Sequence, residues 1–289
     1  MIYHRVGSYG PGRVRISDWD ASTLTVDPDG DRVLAQRFIG DILTGPRKPA
    51  LGLIWLAEPD FSSHAHPLGS PPQLDAIRKS DQTAGLILDA VETARGRGED
   101  ILLIAASDHG HQTVSGVIDI EDELIKAGLK DHAGSGDVIS TSSGTSALVF
   151  VHPDHAGRIA AIGDYLAAQS WADAVFGAER MGEVGQAARF GLAFGVAMAA
   201  NEEANDYGIP GKSLVAKPSL GKADRMHCGQ HGGLARYEQS PFLMISGAGF
   251  AAGGARSDTT SAVDIAPTVL AHLGIAHEPL DGQALQAGA

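Results

Sequence analysis

Apolar residues fall into short unbroken runs and a few periodic stripes. Leu51 to Ala57 (LGLIWLA), Ile101 to Ala105 (ILLIA), Ala147 to Val151 and Phe242 to Ser246 are runs of strand length. Runs of this kind suit strands covered on both faces by helices. From Pro71 to Arg95, Leu74, Ile77, Ala84, Leu88 and Val91 keep helical spacing, and Asp81 falls on the same stripe, where a carboxylate needs a partner. Shorter helices are predicted over Val33 to Leu43, ended by Gly45-Pro46, and over Glu121 to Ala127, stopped by Gly128. Two more are expected from Pro153 to Ala168 and from Ser261 to Leu273, the latter with Pro267 in its first turns.

Val175-Phe176 reads as a further short strand, while Leu192 to Ala200 has no period that separates strand from helix. Asn201 to Asp224 reads as a polar loop, and Met1 to Asp31 is rich in turn residues, with Gly-Pro-Gly at 10 to 12 and Asp-Pro-Asp-Gly at 27 to 30. No repeat or linker interrupts the alternation. It predicts an α/β fold, a mostly parallel central sheet with helices on both faces, with residues 1–289 as a single domain.

Composition narrows the partners. The net charge is -13, from 22 Lys and Arg against 35 Asp and Glu, which argues against nonspecific binding to nucleic acid or an anionic membrane. Phosphate chemistry in so acidic a chain calls for metal cations as the local positive charge. The single cysteine, Cys228, leaves no internal disulfide and no Cys-rich zinc module. No apolar stretch reaches the roughly 18 to 20 residues that span a bilayer, and Met1 to Arg15 has no signal-type apolar region. The chain therefore reads as soluble and cytoplasmic.

Three histidine clusters follow apolar runs. Asp60, His64 and His66 come after Leu51 to Ala57; Asp108, His109 and His111 come after Ile101 to Ala105; His227 and His231 precede the strand at Phe242. Open α/β sheets place ligand sites at strand ends. Asp60 and His64, four apart, converge on one ion if the loop turns helically. Asp108 with His109 offers a second oxygen and nitrogen pair, and His231 in its glycine-rich loop a further imidazole. Mixed His and Asp sets suit zinc, and paired metals are a common device for phosphoryl transfer. His66, His111, His227 and Asp81 are candidate outer-shell or substrate-facing groups, with plain solvated loop or structural roles as the alternative.

Two other motifs do not hold. Gly208-Ile209-Pro210-Gly211-Lys212-Ser213 echoes a phosphate-binding loop, but Asp206 stands where its first glycine belongs. No serine has the Gly-x-Ser-x-Gly setting of a hydrolase nucleophile, and Cys228 reads as a packing residue.

Taken in order, Glu58-Pro59-Asp60-x-x-x-His64, Ser107-Asp108-His109-Gly110, and Gly229-x-His231-Gly232 with Pro241-Phe242 and Ser246-Gly247 resemble the alkaline phosphatase superfamily, specifically its nucleotide pyrophosphatase/phosphodiesterase branch. The tail, Val263 to Leu270 with Leu273-Gly274-Ile275 and Asp281-Gly282, resembles the superfamily's C-terminal signature. The resemblance implies that Asp60, His64 and His231 bind one zinc and that Asp108 and His109 bind a second. It also implies in-line attack on a small-molecule phosphoester or phosphodiester by a Thr or Ser activated at the second metal.

The family's first strand, with its Asp, and its nucleophile segment are expected ahead of Tyr3 to Arg13. Asp18, Asp20, Thr23 and Thr25 come too late for those roles, and Ser142, Ser143 and Thr145 lie in the wrong part of the chain. The catalytic nucleophile is thus unassigned, and the chain reads as N-terminally truncated, similar to the last two thirds of a family member. Two functions stay open. One is a zinc-dependent hydrolase of phosphoesters or phosphodiesters; the other is an inactive remnant that binds one metal ion, with Asp108-His109 as the empty side. A missing central strand would also leave a sheet edge open to self-association.

Overall fold

The first helix begins ahead of the run that predicts it. In a computed structural model that describes residues 25–46, 49–218 and 225–286, α1 (Pro28–Phe38) has Asp27 as its N-cap, with the carboxylate accepting from the Gly30 N–H at 2.8 Å. Pro28 occupies the first turn, where its missing N–H costs nothing, so the Asp-Pro-Asp-Gly sequence is a helix start and not a separate turn. Tyr3, His4, Asp18, Asp20 and Thr23 lie outside the described residues. The regular elements then run α2 (Asp60–Ala65), α3 (Pro71–Gly96), β1 (Leu103–Ala106), β2 (Gln112–Ile118), α4 (Ile120–Lys126), β3 (Val138–Ser142) and β4 (Ser146–Val151). After them come α5 (Ile159–Ala167), β5 (Ala172–Gly177), β6 (Leu192–Met198), β7 (Ala200–Ala204), β8 (Pro210–Ala216), β9 (Gly229–Gln230), β10 (Leu243–Ser246) and α6 (Ile265–His272).

The chain divides into two units, one of Met1–Phe61, Asp75–Asp108 and Phe242–Ala289, the other of Ser62–Leu74 and His109–Pro241. In the first unit, β1 pairs antiparallel with β10 in a two-stranded ribbon. Ala35, Ile87 and Val91 form its small buried cluster, with Phe38, Ile39, Leu43, Ile54, Ile101 and Leu103 packed against it. Arg95, at the end of α3, ties the ribbon down. Its guanidinium donates to the Ile101 carbonyl at 2.7 Å and to the Ser246 carbonyl at 2.6 Å.

Two expectations change in this unit. Leu51 to Ala57 lies in no strand, and its end is held by the buried Asp31 carboxylate, which accepts from the Ala57 and Glu58 N–H groups at 3.0 and 2.8 Å. On α3 the buried positions are Gln73, Ala76, Thr83, Ile87, Val91 and Ala94, whereas Leu74, Ile77 and Leu88 are exposed. The buried face is turned from the expected stripe, because small residues (Ala76, Ala94) allow closer approach than the large ones beside them. Asp81 is accordingly exposed, and its carboxylate needs no buried partner.

The second unit holds most of the core. An antiparallel sheet in the order β3-β4-β6-β5 carries Val138, Val149, Val151, Phe194 and Val196 inward, and Ile162 and Leu166 of α5 join the same cluster. A mixed sheet, β7-β8-β2-β9, contains the parallel pair β2 with β8. Every other pairing among the described residues is antiparallel. The architecture is mixed α/β, therefore, and not the mostly parallel sheet that unbroken apolar runs suggest. Runs report burial on both faces, but strand direction depends on connections, and the paired strands β3 and β4, and β7 and β8, are joined by links too short for a parallel crossover.

Asn201 to Asp224 is not one loop either. It supplies most of β7, exposed throughout, and all of β8, while residues 219–224 lie outside the described part. The undecided Leu192 to Ala200 is the wholly buried β6 followed by the first residue of β7. Among the described residues, no helix is long and apolar enough to cross a membrane.

Candidate metal centre

Four imidazoles converge in the second unit from three separate stretches of chain. His64 stands in the last turn of α2, His109 and His111 precede β2, and His231 follows β9. The His109 and His231 rings are stacked at 3.5 Å between centroids. His111 lies 5.3 Å from His109, 5.4 Å from His231 and 5.6 Å from His64, and His64 lies 5.2 Å from His231. One nitrogen from each of His109, His111 and His231 lies within 4.8 Å of the others, and all three rings are half-buried.

Backbone contacts set this geometry. The Nδ1 of His64 is 2.9 Å from the Gly229 carbonyl. A carbonyl can only accept, so this contact puts the neutral ring's proton on Nδ1 and the lone pair on Nε2. His109 has the same kind of contact, Nδ1 at 3.0 Å from the Gly110 carbonyl. Such contacts orient metal-binding histidines and raise their basicity.

The His231 loop is seated on the turn between β3 and β4. Thr145 donates its N–H to the His231 carbonyl at 3.1 Å, and Ser146 donates its hydroxyl to the Gly232 carbonyl at 2.6 Å. Gly144 and Gly232 have φ of 66° and 112°. A Cβ on Gly144 would meet the His231 carbonyl, and one on Gly232 would meet the Ser143 carbonyl. Only glycine permits both this backbone conformation and this approach.

The residues singled out from the sequence separate into groups. His64, His109 and His231 come together, and His111, expected as an outer-shell candidate, is fully part of the cluster. Asp60 opens α2, four residues before His64 and thus on the same helical face. Asp108 is exposed beyond β1. His66, His227 and Asp81 are also exposed, and the first two are outside the ring contacts that join the cluster. His227 instead occupies a left-handed backbone position, φ 69°, and donates its N–H to the Val114 carbonyl.

The hydroxyls of Ser142 and Thr145 donate to the Ala216 carbonyl at 2.7 Å and to Glu238 at 2.5 Å, which fits structural roles. Cys228 is buried, and burial pushes its thiol up; a reactive thiolate needs the opposite shift.

Glu238 escaped the sequence reading. It is buried, and its carboxylate accepts from the Gly233 and Ala235 N–H groups at 2.9 Å each, as well as from Thr145. The available signal was an acid three residues past a turn, the spacing by which side chains close N-terminal turns.

Residues 7–179 match the family described as type I phosphodiesterase / nucleotide pyrophosphatase. Among solved structures, the chain is similar to murine ectonucleotide pyrophosphatase/phosphodiesterase 5, an inactive variant in complex with AMP, at 20% identity and a TM-score of 0.64, over 88% of this chain and 61% of that one. Phosphonoacetate hydrolase from Sinorhizobium meliloti 1021, in complex with phosphonoformate, matches at 18% identity and a TM-score of 0.43, over 64% of this chain and 43% of that one. No curated protein sequence matches. The chain spans less than two thirds of either solved protein. The family match covers more than half of the chain and takes in Asp60, His64, Asp108, His109 and His111: the chain belongs to the type I phosphodiesterase / nucleotide pyrophosphatase family of the alkaline phosphatase superfamily.

Proposed function

We propose that the chain is a metal-dependent hydrolase of small phosphoesters or phosphodiesters, with zinc as the metal. The observation that carries this reading is the convergence of His64, His109, His111 and His231 from three segments of the chain. Separate surface histidines have no reason to gather, and protonated together they would repel one another. A cation relieves that conflict by taking the nitrogen lone pairs, and nitrogen-rich sets favour zinc among the common hydrolytic metals.

The residues fit such an ion. His109, His111 and His231 would hold it, while Asp60 and His64, four residues apart in α2, would offer an oxygen and a nitrogen. Asp108, next to His109, is the remaining carboxylate of the proposed set. When bound, the metal would supply positive charge for phosphoryl oxygens and Lewis acidity. The chain's own part is to keep the imidazoles convergent and their outer nitrogens engaged, as the Gly229 and Gly110 carbonyls do for His64 and His109. The nucleophile is not assigned. We take residues 1–289 as one domain of the family and its substrate as a small phosphoester.

Metal analysis together with turnover of an aryl phosphodiester tests the proposal. Bound zinc is expected, lost with activity on chelation and on His231→Ala. A protein that holds no metal, or that is equally active after chelation, would refute it. The exposure of Asp108 favours a second reading, in which the Asp108-His109 side stays empty and the chain binds a single ion without turnover. One zinc per chain, with no hydrolysis of any phosphoester supplied, would select it.

A further inference from the structure

We infer that Glu238 is a positioning residue that fixes the spacing between the His109-Gly110-His111 segment and the His231 turn, and through that spacing the metal affinity of the centre. The inference rests on the metal-centre reading and adds a residue to it. Glu238 reaches both halves of the cluster by different routes. Its backbone carbonyl accepts from the Gly110 N–H at 2.8 Å, between the two histidines of that segment. Its side chain accepts from the Gly233 N–H, two residues past His231, at 2.9 Å, and from the Ala235 N–H at 2.9 Å.

The third donor ties the pair to the sheet. Thr145 gives its hydroxyl to Glu238 at 2.5 Å and its N–H to the His231 carbonyl at 3.1 Å. The Thr145 carbonyl in turn accepts from the Met198 N–H at the end of β6, the most deeply buried strand. Thr145 and Glu238 are each 1% exposed, so water cannot replace these bonds if the carboxylate is altered. Gly110 adds a steric constraint, because a Cβ there would meet the Tyr237 carbonyl. The two histidine segments are thus locked at backbone distance. No charge of Glu238 need reach the metal; its three accepted bonds hold the atoms that carry the ligands.

Glu238→Gln keeps the size but puts an amide NH2 where one oxygen accepts, leaving at least one donor of Gly233, Ala235 or Thr145 without its acceptor. Zinc affinity is measured by competition with a chromophoric chelator, alongside the visible spectrum of the cobalt-loaded protein and the melting temperature of the metal-free form. We expect zinc binding weakened about 10- to 100-fold, as for other residues that orient metal ligands, with an altered cobalt spectrum and a folded metal-free protein. A variant with wild-type affinity and spectrum overturns the inference, whatever its melting temperature, since Glu238 would then serve folding alone.

If Glu238→Gln does not fold, Thr145→Val decides. It removes one donor to Glu238 and keeps the N–H to His231; a smaller loss of affinity in the same direction supports the inference, and unchanged affinity overturns it. If the wild-type protein binds no metal, the reading beneath fails, and imidazole NMR signals of the metal-free proteins judge Glu238 separately. Displaced His109 and His231 signals in the variant would support positioning, and unmoved ones would end it.

Discussion

Two heptapeptides of nearly equal hydrophobicity have opposite fates in this chain. Leu51 to Ala57 (LGLIWLA) and Leu192 to Met198 (LAFGVAM) each contain six apolar residues and one glycine. The second is β6, flanked by β4 and β5 and buried at all seven positions. The first lies in no strand, and Leu51, Leu53 and Trp55 are 60%, 81% and 76% exposed. What differs is the partner for the backbone. β6 has a ladder on each side, whereas the end of the first segment is satisfied by one side chain, Asp31. An apolar run states a capacity for burial, and neighbouring strands decide whether it is used.

The largest expected effect follows from β6. The Phe194 ring fills the core of the second unit against α5, where a Cβ on Gly163 would already meet it at 3.0 Å. Phe194→Ala should cost about 3 to 5 kcal/mol, read as a fall in the urea midpoint. A loss below about 1 kcal/mol, the size of a surface change, would mean that β6 is not the centre of this core.

Next comes a polar anchor of the same unit. Asp137 accepts from Arg158 at 2.5 Å and from the Asp131 N–H at 2.9 Å, takes the Ser135 hydroxyl, and faces the buried Lys130 ammonium at 3.6 Å. Burial alone would raise its carboxyl, but the Ser135 hydroxyl, the Asp131 and Val138 N–H groups and Lys130 outweigh it and hold the group well below the ordinary range. Asp137→Ala leaves Lys130 with fewer counter-charges at a site its side chain exposes by 1%. Roughly 3 kcal/mol should be lost, at the lower end for a broken buried pair, because Glu121 remains 3.3 Å from the ammonium. Equilibrium unfolding that matches the wild type would refute the anchor.

These anchors mark where sequence legibility ends. Helices with local signals were readable: Gly128 closes α4 in the left-handed conformation, and Pro267 sits in the first turn of α6. So were the histidine clusters, because His64, His109 and His231 each follow or flank a strand signal, and their order matches a family. Strand direction was not readable, since it depends on which distant segment supplies the ladder. The buried face of α3 is not legible either, because hydrophobicity weighs Leu74 and Leu88 above Ala76 and Ala94, while packing favours the small pair. Asp31 is invisible and Glu238 only faintly marked for a related reason. An acid with a partner far along the chain, as the Ala57 and Glu58 N–H groups are for Asp31 and the Thr145 hydroxyl is for Glu238, looks, in sequence, much like any solvated acid.

A smaller effect is expected at the C-terminal helix. Asp264 accepts from the Gln283 N–H at 2.9 Å and from the Ser261 N–H at 2.8 Å. Those two bonds, Gln283 first, hold its carboxyl below the ordinary value of 3.8 against the opposing effect of burial. A carboxyl lowered on folding contributes stability that is complete above its unfolded value and is lost as pH falls through the folded one. Asp264→Asn should therefore cost about 1 kcal/mol at neutral pH, the usual size for a lost cap. The gap between wild-type and variant melting temperatures should stay level down to about pH 4 and close below it. A gap that widens in acid would reverse the sign and exclude this origin.

The smallest effect sharpens the opening contrast most. Trp55 and Leu53 are large apolar residues, yet most of their surface already meets water, so Trp55→Ser and Leu53→Ser remove little burial. Each should shift stability by no more than about 0.5 kcal/mol, a small fraction of the loss from Phe194→Ala in a run of the same composition. Ile54, between them, packs with Phe38 and Ile39 against Ala35, Ile87 and Val91, and Ile54→Ala should cost clearly more than either neighbour. That alternation distinguishes a segment held by one face from a buried strand, in which all three positions would matter. If Trp55→Ser instead costs as much as Phe194→Ala, the segment is covered in solution. Gel filtration of the two proteins then separates the causes: a change in elution shows that another copy of the chain supplies the cover, and an unchanged monomer shows that this chain does.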